Sequence, residues 1–178
     1  MKWLAGLFSV LTLALVGVGL AAWIWTHPAV PPPDRVPLTG TVDRIVIEKA
    51  ARRMTVYRDQ VPLQTYAIAL GFAPKGDKER QGDGRTPEGI YKIDRRNAAS
   101  AYHLSLGLDY PQASDRAIAA SGGFDPGGDI MIHGQPNGLP DDVALRGDWT
   151  AGCVAVTNQE MRELFAAVAI GTEVEIRP

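Results

Sequence analysis

A single cysteine and an upstream histidine are the residues of this chain best suited to covalent chemistry. Cys153 is the only cysteine among 178 residues, and it lies in the stretch Thr-Ala-Gly-Cys-Val at positions 150–154. His133 precedes it by twenty positions, in Ile-Met-Ile-His-Gly. Such a thiol is a candidate nucleophile and the histidine its general base, because an imidazole can take the thiol proton.

The predicted elements around this pair indicate how the two side chains meet. His133 ends a predicted strand, 129–133, and Cys153 follows a loop, 135–151, so the intervening chain leaves and returns to one edge of a sheet. A paired imidazole is expected to shift the thiol toward thiolate. Gly152 removes a side chain next to the sulfur, and the amides of Gly152 and Cys153 are predicted to form an oxyanion hole.

The N-terminal segment predicts export. Residues 3–25 carry no charge, and they are long enough to cross a bilayer, which takes about 20 apolar residues. Lys2 lies on the short N-terminal side, so the positive-inside rule places the remainder on the periplasmic or extracytoplasmic side of the membrane. Residues 1–26 are therefore predicted as a signal anchor, with a cleaved signal peptide as the alternative. Exported domains use cysteines mainly in disulfide pairs, so a lone thiol there needs another reason.

The rest of the chain is predicted to be a linker and one domain. Residues 27–38 are rich in proline, which favours an extended spacer, and residues 39–178 have the size of a single domain with its own core. The chain has 18 basic and 20 acidic side chains and a formal charge of −2, so no broad basic field is present for nucleic acid. The membrane is the expected partner of the N-terminal segment.

The periodicity of the domain predicts a mainly β fold of the α+β class with one or two short helices. Strand patterns occur at 42–49, 54–58, 63–70, 90–93, 103–106, 129–133 and 173–177, the first three as an antiparallel meander. A Gly-rich segment, 71–89, predicts a long exposed loop with a functional role. Helices are predicted at 114–121 and 158–170, the second with a capping box at Thr157 and Glu160 and its end at Gly171.

At these residues the chain resembles the YkuD-type L,D-transpeptidase catalytic domains. The family motif is a histidine, a spacer, then Ser/Thr-His-Gly-Cys, a hydrophobic residue and commonly Asn or Arg. The matching residues are His133, Thr150, Gly152, Cys153 and Val154. Residues 82–91 are similar to the family's Gly-rich loop, and residues 108–111 and 127–130 to one branch of it. Ala151 replaces the second motif histidine, and Ala155 stands where Asn or Arg is frequent.

This resemblance implies a fold, a reaction and roles for residues. The fold would be an antiparallel β-sandwich or barrel-like domain covering about 42–177. Cys153 would attack a peptidoglycan stem tetrapeptide, release D-alanine and hold the stem as a thioester, which an amine acceptor then resolves. His133 would act as base and then acid, oriented by the carbonyl of Gly134. The implied partners are peptidoglycan stem peptides, and the reaction needs no metal or other cofactor.

Several alternatives remain open at the level of sequence. The same thioester could yield to water, giving an L,D-carboxypeptidase or amidase, and the domain could be a non-catalytic wall-binding module. The candidates for substrate binding are Arg85, Arg146, Trp149 and Thr150. His103 is predicted to be structural. A zinc site formed with His133 and Cys153 is disfavoured because no compact ligand pair is present.

Overall fold

Eight strands and two helices follow one another along the domain. The computed structural model describes residues 37–141 and 143–178. The elements, in chain order, are β1 (Val42–Glu48), β2 (Arg53–Arg58), β3 (Val61–Ala67), β4 (Gly89–Ser100), β5 (His103–Leu108), α1 (Ala113–Ser121), β6 (Met131–His133), β7 (Val154–Ala155), α2 (Asn158–Ala167) and β8 (Val168–Arg177).

The strands form one curled, mixed sheet in the order β3-β2-β1-β8-β4-β5-β6-β7. The predicted meander of β1, β2 and β3 is confirmed, with antiparallel pairing throughout. Two pairs, β1 with β8 and β6 with β7, are parallel, so the sheet is mixed where an antiparallel one was expected. Beyond β3, Ala69 bridges to Ala155 and Gly71 to Thr150, which brings the two ends of the sheet together. The mainly β, barrel-like prediction is confirmed.

Both predicted helices are present, but the second is shorter than expected. Helix α2 begins with the predicted capping box, in which the Thr157 side chain accepts from the Glu160 N–H and the Glu160 carboxylate accepts from the Thr157 N–H. It ends at Ala167, because Val168 pairs with Val42 as the first residue of β8. Gly171 therefore lies inside a strand, and its predicted role as a helix-ending residue is wrong.

The core lies between the strands of the curled sheet and helix α2. Its largest fully buried side chains come from both halves of the chain: Tyr66, Ile45, Ile47, Met54, Leu70, Ile93, Leu106, Leu108, Ile132, Met161, Leu164 and Val56. Ile132 and Leu164 belong to this set, so β6 and α2 are fixed to the core on either side of the functional residues. Burial of such side chains stabilises each by about 1.5–3 kcal/mol.

The Gly-rich loop, residues 71–89, is organised by two buried lysines. Lys49 follows β1, and its Nζ donates to the carbonyls of Gly76 at 2.6 Å and Thr86 at 2.7 Å and to Glu88 Oε1 at 2.8 Å. Lys78 donates to Asp83 Oδ1 at 2.8 Å. An ammonium has three donors, so Lys49 is fully satisfied. The expectation of an exposed loop is therefore wrong for the residues around these ammonium groups.

Asp83 is the centre of the second half of this loop. Its carboxylate accepts from Lys78 and from the backbone N–H groups of Glu79, Arg80 and Arg85. Burial acts to raise the pKa of Asp83, but these hydrogen bonds outweigh it and lower the pKa to about 2. The carboxylate is thus ionised at neutral pH and holds the glycine-rich turns in place.

The predicted membrane segment lies outside the described residues. Within 37–141 and 143–178, no helix combines the length and the apolar character that a membrane crossing requires. The anchor at 3–25 and residues 27–36 of the linker are among the residues for which no structure is described. Both remain predictions.

Candidate active site

Two short parallel strands set His133 and Cys153 on the same face of the sheet. Ile132 lies beside Val154 and His133 beside Ala155 in the pairing of β6 with β7. Side chains alternate along a strand, so the fully buried Ile132 and Val154 point into the core. His133 follows Ile132 and Cys153 precedes Val154, so the side chains of His133 and Cys153 point to the other face. The two residues are close in space because the intervening loop returns to the same sheet edge.

This face borders a cavity of about 520 Å³ that contains both residues in its wall. The other lining residues are Asn97, Ser100, Ala101, Tyr102, Asp129, Met131, Trp149, Thr150 and Ala151. A second cavity, of about 280 Å³, lies on the side of the Gly-rich loop and includes Gln81, Gly82 and Cys153. Cys153 thus lies where two cavities meet, and each could hold part of an extended substrate.

The tautomer of His133 follows from its contact with the next residue. His133 Nδ1 lies 2.7 Å from the carbonyl oxygen of Gly134. A carbonyl oxygen can only accept, so Nδ1 carries the proton and Nε2 of the neutral ring has a free lone pair. The predicted orienting role of Gly134 matches this geometry. A carboxylate usually fills this third position in a catalytic triad.

Gly134 has no room for a side chain. A Cβ on this residue would lie 2.6 Å from Asn158 Oδ1 and 3.2 Å from the Tyr102 carbonyl oxygen. Asn158 Oδ1 accepts from the N–H of Gln135 at 2.8 Å, so helix α2 fixes the chain directly after the carbonyl that orients His133. The glycine allows this close approach between α2 and β6.

Thr150 shapes the turn that carries the thiol. Its hydroxyl donates to the Cys153 carbonyl oxygen at 2.7 Å and accepts from the Gly152 N–H at 3.1 Å. The Gly152 amide is therefore engaged within the turn, which corrects the prediction that it forms part of an oxyanion hole. The Cys153 N–H has no hydrogen-bond partner among the residues that the structure describes and remains the candidate donor.

Gly152 is required in this turn for two reasons. Its φ is +138°, a conformation that residues with a side chain rarely adopt. A Cβ there would also lie 2.7 Å from the carbonyl oxygen of Arg85, so the turn packs directly on the Gly-rich loop. Thr150, predicted as a substrate contact, lines the larger cavity, but its hydroxyl serves the turn.

Aromatic side chains enclose the imidazole. The ring of Tyr102 lies 4.6 Å from that of His133, and Trp149 meets His133 edge-on at 5.7 Å. Trp149 also contacts Tyr102, with ring centroids 6.0 Å apart, so it both walls the cavity and holds the loop. Tyr102 was not predicted, because it lies in the β4–β5 turn and carries no local sequence signal for this role.

The remaining predicted residues lie outside both cavities. Arg85 Nη1 donates to Glu79 Oε1 at 2.9 Å and to the Asp77 carbonyl oxygen, whereas Arg146 is an exposed loop residue. His103 contacts Arg162 through Nε2 at 3.3 Å, in agreement with its predicted structural role. No group of three or more potential metal ligands occurs in the described part of the chain.

Burial favours the neutral forms of both reacting side chains. It lowers the pKa of His133 below its ordinary value, an effect that the Gly134 hydrogen bond partly offsets. Burial also raises the pKa of the Cys153 thiol, and the Asp129 carboxylate adds to this, whereas a backbone hydrogen bond from Met131 opposes it. The thiol donates to the Asp129 carbonyl oxygen, which lies 3.4 Å from Sγ. Burial therefore favours a thiol beside a neutral imidazole and acts against the expected ion pair.

The alkylation of Cys153 is expected to report this neutral pair. The rate constant for iodoacetamide should rise about tenfold per pH unit from about pH 6 to 8, because the thiolate fraction of a thiol with a raised pKa grows in that proportion. Mass spectrometry of the intact protein measures it. His133→Gln should keep the same slope. A plateau near neutral pH that is lost in His133→Gln would instead show a thiolate–imidazolium pair.

Known proteins are similar to this chain in sequence and in fold. The family model of the YkuD L,D-transpeptidase catalytic domain matches residues 42–176. The chain is 32% identical over 137 residues to YafK of Escherichia coli (strain K12), which carries a provisional L,D-transpeptidase name; the match covers 74% of this chain and 49% of YafK. The chain thus spans about half the length of the curated relatives it matches.

Solved structures with related folds include two bacterial proteins. Pgp2, the helical cell shape determining protein of Campylobacter jejuni, has a TM-score of 0.61 at 25% identity, covering 82% of this chain and 52% of Pgp2. Bd1075 of Bdellovibrio bacteriovorus has a TM-score of 0.53 at 23% identity, covering 80% of this chain and 51% of Bd1075, and shows the fold alone. On the family match over residues 42–176 and the identity to YafK, this chain belongs to the L,D-transpeptidase catalytic domain family.

Proposed function

We propose that this protein is a cysteine acyltransferase that forms a thioester with a peptidoglycan stem tetrapeptide and releases D-alanine. The observation that carries the proposal is the shared cavity of His133 and Cys153, with Nδ1 of His133 bound to the Gly134 carbonyl and Nε2 left free. A neutral imidazole held in one tautomer is suited to take a proton as the sulfur attacks. Membership of the family supports the choice of cell-wall peptides as substrates.

The residues of the site fit the two halves of such a reaction. As Sγ of Cys153 attacks the carbonyl carbon of the third stem residue, its proton passes to His133 Nε2. The oxyanion accepts from the free N–H of Cys153. His133 then gives the proton to the departing amine of D-alanine, which leaves the stem as a thioester on Cys153.

We further propose that an amine of a second stem peptide resolves the thioester, which makes the overall reaction a transpeptidation. The position of Cys153 at the junction of two cavities supports it, because donor and acceptor chains need separate space. The similarity to a cell-shape protein, Pgp2, supports a role in the cell wall. The apolar residues 3–25 support an extracytoplasmic location with a membrane anchor, where the wall is accessible.

Hydrolysis of the same thioester is the second candidate. Ala151 is exposed and lines both cavities beside Cys153. Its side chain is only a methyl group, which leaves water free to approach the thioester. An L,D-carboxypeptidase or amidase would result if water arrives before an amine. The two candidates share the acylation step and differ only in the second step.

Incubation of the protein with muropeptides that carry tetrapeptides tests the proposal. Mass spectrometry should detect free D-alanine, a protein adduct with the mass of the acyl stem and cross-linked dimers. Trimmed monomers without dimers would favour the hydrolase. The absence of D-alanine and of the adduct, with wall material still bound, would replace both enzymes by a non-catalytic binding module.

A further inference from the structure

Asp129 is the one acidic side chain among the residues that line either cavity at Cys153. It borders both, together with Ala151 and Cys153. Lys78 also lines the smaller cavity, but its side chain is only 4% exposed and its ammonium donates to Asp83. The charge that faces incoming substrate at the junction of the cavities is therefore negative.

The backbone fixes the position of Asp129 relative to the sulfur. Its φ is +56°, a left-handed conformation that Asp and Asn tolerate better than other residues with a side chain. In this conformation its carbonyl oxygen lies 3.4 Å from Sγ of Cys153. The carboxylate of the same residue is 86% exposed. One residue thus contacts the nucleophile through its backbone, lines both cavities and leaves its carboxylate open to solvent.

The carboxylate of Asp129 is held by one arginine that it shares. Arg95 Nη2 donates to Asp129 Oδ1 at 2.8 Å, while Arg95 Nη1 lies 3.1 Å from both oxygens of Asp94. Gly107 of β5 pairs with Arg95 of β4, and a Cβ on this glycine would lie 2.5 Å from Arg95 Cγ. The glycine therefore leaves room for the Arg95 side chain to extend to Asp129. Arg95 binds only Oδ1 of Asp129, so Asp129 Oδ2 has no partner among the described residues and is open to a second cation.

We propose that Asp129 binds the protonated amine of the acyl acceptor beside the thioester on Cys153. This inference rests on the proposed function and assigns to Asp129 the recognition of the second substrate, the acyl acceptor. The acceptor class is a peptide with a free primary amine on a diamino acid side chain. A stability role explains the Asp129–Arg95 pair poorly, because exposed ion pairs contribute about 0–1 kcal/mol.

The chemistry of the second step is balanced without another reactant. Asp129 binds the ammonium group of the acceptor, which then loses one proton to solvent. The neutral nitrogen attacks the thioester carbonyl carbon, so a C–N bond forms and the C–S bond breaks with its electron pair on Sγ. The second amine proton passes through His133 Nε2 to Sγ and restores the thiol. Asp129 acts by binding and orienting the amine, and His133 moves the proton.

Asp129→Asn removes the negative charge but keeps the shape of the side chain, because asparagine has the same size and tolerates a positive φ. The ratio of cross-linked product to released D-alanine is expected to fall about tenfold, the loss expected for one charge-assisted hydrogen bond. Asp94→Asn is the matched control: it removes the same charge from the same arginine but does not line either cavity, so its ratio should stay within about twofold. Equal ratios in Asp129→Asn and wild type would overturn the proposal.

A binding measurement keeps this inference separate from the proposed function. The Cys153→Ala protein is titrated by calorimetry with a stem tripeptide that ends in a diamino acid, and with the same peptide acetylated on its side-chain amine. The free amine should bind about tenfold more tightly, and Asp129→Asn should remove that difference. If the wild type releases no D-alanine, the proposed function fails while this titration still decides the role of Asp129. Equal binding of both peptides overturns it.

Discussion

Replacing Cys153 by alanine is expected to lower the release of D-alanine from tetrapeptide muropeptides by at least about a thousandfold. The thioester needs the sulfur, and the chain has no second cysteine that could replace it. The acyl adduct in the intact-protein mass spectrum should disappear as well. Because Cys153 is only half-buried and its replacement removes one atom, the thermal midpoint should change by no more than about 3 °C.

Cys153→Ser is the matched variant for this prediction. A hydroxyl keeps a donor near the Asp129 carbonyl oxygen but is a weaker nucleophile than a thiol, so activity should also be lost while the fold is kept. Loss of activity in both variants with unchanged circular dichroism assigns the effect to chemistry. Full activity of Cys153→Ala would contradict both the thioester and the proposed function.

Lys49→Met is expected to lower the free energy of unfolding by about 3 kcal/mol and the thermal midpoint by roughly 10 °C. The Lys49 ammonium is 3% exposed and binds Glu88 and the carbonyls of Gly76 and Thr86. Methionine fills most of the volume but leaves these acceptors without their donor. Buried acceptors without partners cost far more than the net gain of the original bonds. Urea denaturation measures the change.

Two further variants test why Lys49→Met lowers the free energy of unfolding. Lys75→Met, in an exposed position of the same loop, should change the unfolding free energy by no more than about 0.5 kcal/mol. Glu88→Gln combined with Lys49→Met should be less destabilised than the sum of the two single variants, because it removes the unpaired charge. A loss below about 1 kcal/mol in Lys49→Met would show that the loop is held by other contacts.

The local parts of the fold were accessible from the sequence, and the long-range parts were not. The capping box of Thr157 and Glu160 predicts the start of α2 because it is a contact within one turn. The end of α2 depends on Val42, which pairs with Val168 from more than a hundred residues away. The parallel pairing of β1 with β8 cannot be read from the periodicity of either strand, since apolar alternation does not encode which strand lies beside which.

The candidate site divides in the same way. The types and spacing of His133, Gly152 and Cys153 identify the family and predict the chemistry, because the motif lies within 21 consecutive positions. Tyr102 joins the site from the β4–β5 turn and Asp129 lies just before β6, and neither was predicted as a site residue. They reach it through the pairing of β5 with β6 and through the left-handed turn at Asp129, respectively. Neither the strand pairing nor the positive φ of Asp129 can be read from the residue types alone.

The sequence by itself therefore determined the family, the candidate nucleophile and base, and the order of the meander, because each depends on residue type or on neighbours along the chain. The tertiary structure decided the burial of the pair, the use of the Gly152 amide by Thr150 and the presence of an acidic residue where the two cavities meet. These properties depend on burial and on hydrogen bonds between distant segments. Such contacts exist only once the sheet has curled and the loops have packed against it.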